Sequence, residues 1–187
     1  MAWLALILLT TLFVGLHFVP FAPARRNRLI AAVGGENTYK GLYAIGSLVG
    51  LFGAFFAAAA VPPVPLWSAG EVLRWAALVM TLPAFVLLAS AYVGGGARLA
   101  RHPMLAGIGL WALAHMLANG TLGQVLLFGA LTLYAPAAMR ASDRRDAAHD
   151  PDAFAGRART TSLVPFATLV RGEGAGPGWK GPLAGVV

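Results

Sequence analysis

The chain has 187 residues, of which 58% are hydrophobic and only 11% charged, and its mean hydropathy of +0.72 lies far above what a domain with a solvated polar surface carries. A water-soluble globular enzyme is excluded on that ground. The absence of cysteine removes disulfides, thiolate zinc sites, iron–sulfur clusters, cysteine nucleophiles and covalently attached haem, and the net charge of +7 becomes a question of where the cations lie.

A hydrocarbon core about 30 Å thick needs about 20 apolar helical residues, and five stretches qualify. The first covers residues 2–20 and carries His17 one turn before Pro20, a proline that removes the usual donor to the Leu16 carbonyl. A loop with Arg25, Arg26, Arg28 and Lys40 follows. The second stretch, 42–61, ends at Pro62, Pro63 and Pro65 and contains Gly46, Gly50 and Gly53, a small-residue face suited to close helix contact. The third, 72–92, runs into the turn Gly94-Gly95-Gly96. The fourth, 103–118, is short, and Asn119-Gly120 separates it from the fifth, 121–139. Apolar residues occupy every face of these segments, as in a membrane span rather than a surface helix.

The expected architecture is an all-α integral membrane protein, a bundle of about five transmembrane helices over residues 1–139, followed by a polar tail over 140–187. Within the tail, Asp143-Arg144-Arg145-Asp146 precedes an apolar patch at 163–170, too short to span and suited to the interface or the underside of the bundle. Residues 172–181 have the composition of a loose end. Of the 14 Lys and Arg, only Arg74 falls outside the first loop, the third loop and the tail. The positive-inside rule then places the N-terminus outside and the tail in the cytoplasm. Charge so explained leaves no case for a nucleic-acid partner; the lipid bilayer is the expected one. Ala22-Pro23-Ala24 has the form of a signal-peptide cleavage site, but no cation precedes the apolar run and arginines follow it directly, which favours an uncut anchor.

Ionisable residues inside a membrane are costly and mark functional candidates. His17 lies in the first span. In the fourth, Trp111, His115 and Asn119 share one face at i, i+4 spacing, offering an aromatic wall, a ligand and an amide; His115 reads either as a cofactor ligand or as an imidazole bonded to helix backbone. Arg98, Arg101 and His102 gather at the cytoplasmic mouth in front of Pro103, where His102 reads as a helix start or, with the arginines, as a binder of an anionic headgroup. On one helix His102 and His115 lie about 20 Å and roughly 220° apart, so they serve different sites. Every acidic residue lies outside or at the edge of a span.

Several strings together identify a family. Gly15-Leu16-His17-Phe18-Val19-Pro20-Phe21, Gly35-Glu36 with Tyr39-Lys40-Gly41-Leu42-Tyr43, Arg101-His102-Pro103, Leu110-Trp111-Ala112-Leu113-Ala114-His115 with Leu117-Ala118-Asn119-Gly120, and Thr161-Ser162-Leu163-Val164-Pro165-Phe166 resemble the NnrU family of bacterial membrane proteins. The resemblance implies a multi-pass protein of the bacterial inner membrane, associated with denitrification and nitric oxide reductase. The related zeta-carotene isomerase is a membrane haem b protein whose ligands correspond to His17 and His115, and it has a cysteine where this chain has Ala112. Haem b is therefore the implied cofactor, with His17 and His115 as metal ligands and Arg98 and Arg101 able to pair with propionates. The topology sets the two histidines about 15 Å apart in depth, so joint ligation requires tilt, a kink at Pro20 or a haem lying flat. Three functions follow: a haem protein supporting nitric oxide metabolism, a haem-dependent cis-trans isomerase of a hydrophobic polyene, and a cofactor-free assembly protein binding another membrane subunit. Arg-His-Pro before a helix also occurs in isoprenylcysteine methyltransferases, whose glutamate pair the tail lacks.

Overall fold

The computed structural model describes residues 1–93 and 96–172; Gly94, Gly95 and nearly all of the expected loose end lie outside the described residues. The described chain forms α1 (Ala2–Phe18), α2 (Pro23–Ala32), α3 (Glu36–Ala60), α4 (Glu71–Val93), α5 (Pro103–Asn119), α6 (Leu122–His149), α7 (Pro151–Thr160) and α8 (Ala167–Val170). Four helical segments, Ala2–Phe21, α3, α4 and α6, are long and apolar enough to cross a membrane. Helix α5, with 17 residues, sits at the lower end of the spanning range of about 17–25. The protein is thus an all-α, multi-pass membrane protein. Ile45, Phe52, Phe56, Trp75, Leu82 and Leu133 are exposed along these helices, a distribution suited to lipid.

Local chemistry explains where the elements differ from the sequence reading. Pro20 does not leave the Leu16 carbonyl open: the chain tightens into a 3-10 turn at Val19–Phe21, and the Val19 N–H donates to Leu16. The first loop contains α2, which starts with Pro23 in the first helical turn, where the missing N–H costs nothing. Helix α6 runs ten residues past the expected end of the fifth span and stops only before Pro151. Composition changes at residue 140, but the next helix breaker is at 151, and Asp150 caps α7 by accepting from the Ala153 N–H at 3.0 Å.

The chain gathers into two compact units, one of Met1–Ala69 with Asn119–Leu131 and one of Gly70–Ala118 with the chain from Thr132 onward. In the first, α1 packs on α3 through the small-residue face. A Cβ at Gly50 would lie 3.1 Å from the Phe13 Cβ and backbone nitrogen, and those at Gly46 and Gly53 would meet Leu16 and Leu9 at 2.9 Å. This face is filled by α1. Leu6 of α1 is fully buried with Ala54, Ala57, Ala58, Val61 and Leu127, so the first helix supplies part of the core. Gly120, at φ +64°, is held by two bonds: the Leu66 and Trp67 N–H groups donate to its carbonyl.

In the second unit, Leu87, Ala100, Ala106 and Met139 form the core, and Leu163 and Phe166 of the apolar patch pack against it. The patch therefore docks under its own helices. The Phe166 N–H donates to the Leu99 carbonyl and the Arg101 N–H to the Ser162 carbonyl, while the Thr168 hydroxyl donates to the Arg98 carbonyl. Phe166 itself has a left-handed backbone, φ +62°.

Gly50→Ala is expected to destabilise the protein by about 1–3 kcal/mol through overpacking against α1. Gly15→Ala, where a Cβ meets nothing within 4 Å, should be neutral or stabilising. Thermal unfolding of both variants in detergent checks the contrast.

Candidate functional site

Both intramembrane histidines are held by the same device. In the first unit the His17 Nδ1–H donates to the carbonyl of Phe13, one turn back, at 2.8 Å, and the two rings lie 4.2 Å apart. The Phe13 backbone rests against Gly50, so the small-residue face of α3 fixes the residue that orients the imidazole. Tyr43 stands on the α3 side, 5.5 Å from the His17 ring, and Tyr39 lies 6.1 Å beyond it. Arg26 of α2 covers Tyr39 at 5.5 Å and pairs with Glu36, which Lys40 also approaches at 3.5 Å. The Tyr39 to Tyr43 string thus reaches the histidine of the first string through Tyr43, while Glu36 ties the start of α3 to Arg26 of α2.

In the second unit the His115 Nδ1–H donates to the carbonyl of Trp111 at 2.9 Å, and the rings lie 4.4 Å apart. A carbonyl can only accept, so in both cases Nδ1 carries a proton. This is the arrangement by which a backbone carbonyl fixes the tautomer of a metal-ligating histidine and raises its basicity. His115 also lines a cavity of about 360 Å³ between α4 and α5, together with Arg74, Leu78, Thr81, Ala114 and Ala118. Asn119 ends α5, is exposed and does not line this cavity. His17 and His115 belong to different units.

The charged segment in front of α5 is organised by Asp143, a member of the Asp143-Arg144-Arg145-Asp146 charge run. Asp143 of α6 accepts from Arg101 at 2.6 Å and from the His102 Nε2–H at 2.7 Å. All three side chains are 12–14% exposed. Arg101 further donates to the Thr161 hydroxyl and to the carbonyls of Thr161 and Ala158, and Phe154 lies over its guanidinium at 5.7 Å. Arg98 offers its carbonyl to Thr168 and keeps an exposed side chain. The Arg-His-Pro and Thr-Ser-Leu-Val-Pro-Phe strings, 60 residues apart, are therefore two halves of one joint.

Among the described residues no group of three or more His, Asp or Glu could hold a metal ion. A porphyrin iron would make a smaller demand, one or two axial imidazoles in an apolar setting; of the two histidines, His115 borders a described cavity. Arg74, read from the sequence only as the exception to the charge pattern, is the cation that shares the His115 cavity. A signal was present: Arg74 lies one turn from the start of α4 and His115 one turn from the end of α5, the two ends that an antiparallel pair of consecutive helices brings to the same level.

A family model described as NnrU protein matches residues 5–175, taking in every string that forms these sites. The chain belongs to the NnrU family. Comparison with curated proteins and with solved structures gives no match. Within this NnrU protein, the family strings converge on two tethered imidazoles and one ion-paired joint.

Asp143→Ala should lower stability by about 2–3 kcal/mol, the scale of hydrogen bonds to charged groups, because Arg101 and His102 lose their common acceptor. Limited proteolysis in detergent should cut the segment 154–171 sooner in this variant than in wild type.

Proposed function

We propose that this NnrU protein binds haem b through His115, with His17 as the second candidate ligand, and that it supports denitrification and nitric oxide metabolism in the bacterial inner membrane. One observation carries the reading: an intramembrane imidazole with its Nδ1–H tied to the Trp111 carbonyl at 2.9 Å borders a cavity walled by Leu78, Ala114 and Ala118. With the proton of the neutral ring held at Nδ1, ligation would run through Nε2. Haem would supply one-electron chemistry and a coordination position for a small ligand such as nitric oxide.

The chain's own residues have separable tasks. Trp111 orients the ligand through its carbonyl and forms an aromatic wall; Phe13 does the same for His17. Arg74, on the same cavity as His115, is the cation suited to a haem propionate. Arg101 is a poorer candidate for that task, since Asp143, Thr161 and Ala158 engage its guanidinium. The family's association with denitrification supplies the physiological setting, and a redox-active membrane protein with a gas-sized ligand position is consistent with it.

Reduced-minus-oxidised and pyridine haemochrome spectra of purified protein test the proposal. Wild type should give a b-type spectrum, and His115→Ala should lose at least about nine-tenths of it, a fall of ~1.4 kcal/mol or more in haem binding. Loss in His17→Ala as well would mean two ligands; retention would mean one. Arg74→Gln should keep the spectrum and release haem about tenfold more readily. Folded wild type that takes up no haem when supplied with it would overturn the reading.

A further inference from the structure

A second cavity, of about 380 Å³, lies in the second unit, and His115 is not among its lining residues. Leu110 and Leu113 of α5, Met139 of α6, and Val164 and Pro165 of the docked tail line it, and Arg140 stands at its edge. Its volume falls at the small end of the roughly 300–1,000 Å³ typical of ligand sites. The wall contributed by the tail exists because Arg101 and Asp143 hold that segment in place.

The position of Arg140 defines the chemistry. The apolar stretch of α6 ends at Met139, so the guanidinium stands where hydrocarbon gives way to headgroups. Its acidic neighbours are engaged elsewhere: Asp143 with Arg101 and His102, and Asp146 with Arg145 and Arg157. Arg140 is exposed, and a guanidinium matches the oxygens of a phosphate in bidentate fashion. An apolar groove that ends at such a cation, at the edge of a membrane helix, complements a ligand with an acyl chain and an anionic head.

We infer that this cavity binds one anionic glycerophospholipid, with part of an acyl chain between α5, α6 and the segment 163–165 and its phosphate on Arg140. The site stands apart from the haem reading and does not depend on it. Its ligand would hold the docked tail against α5 and α6 from the lipid side.

Native mass spectrometry and thermal unfolding of the full chain in detergent, with dioleoyl phosphatidylglycerol, dioleoyl phosphatidylcholine or oleic acid added, provide the test. Wild type should retain phosphatidylglycerol in preference to phosphatidylcholine and unfold at a higher temperature with it. Arg140→Gln should weaken phosphatidylglycerol binding about tenfold, the fold-change for losing one charge-assisted hydrogen bond. Leu113→Trp, which fills the groove, should weaken it without altering the cation; Val164→Trp, on an exposed wall residue, serves if the first variant does not fold. Equal retention of the two phospholipids, unchanged binding in Arg140→Gln or in the folded groove variant, or a preference for oleic acid would overturn the inference.

Discussion

The carboxylate of Asp143 is the contact on which the second unit turns. One side chain accepts from Arg101 at 2.6 Å and from His102 at 2.7 Å, and Arg101 passes the connection on to Thr161 and Ala158. Three stretches of chain, the entry to α5, the polar end of α6 and the segment after α7, meet at one charge. A largely desolvated arginine requires such saturation, because each unpaired N–H at low dielectric is expensive. The docked tail, the buried faces of Leu163 and Phe166, and the groove that ends at Arg140 all follow from it.

The two imidazoles show a different economy of design. A histidine inside a membrane helix has to satisfy at least one ring nitrogen, and both use the carbonyl one turn back. In each case that carbonyl belongs to an aromatic residue whose ring lies against the imidazole. The bond that satisfies Nδ1 from local backbone is thus the same bond that the proposed metal ligation would use. The two readings that the sequence leaves open for His115 are not exclusive at Nδ1.

Much of the fold was legible because the bilayer imposes a length and leaves little choice of backbone. The apolar stretches, the breaks at Pro62 and Gly120, and the tight face of Gly46 and Gly50 follow from that constraint. His17 and His115 were legible as intramembrane imidazoles for the same reason. The partner of Arg101 and His102 was not, because Asp143 lies 42 and 41 residues away inside a run that resembles any solvated charge cluster. For Arg74, charge counting assigns a side of the membrane and no neighbour; the order of α4 and α5 is the signal that brings it level with His115. Hydropathy reports where the apolar stretch stops, at residue 139, whereas the helix itself continues to His149, ahead of Pro151.

Phe166 gives the tail a mechanical character. A bulky residue in the left-handed region carries roughly 1–2 kcal/mol of backbone strain, tolerated here because its N–H is bonded to Leu99 and its side chain is packed against the core of the second unit. Detaching the segment would release that strain, while seating it halfway would keep the strain without the contacts that offset it. The left-handed residue thus acts as a latch whose cost is offset only while the segment from Thr161 to Val170 is fully seated.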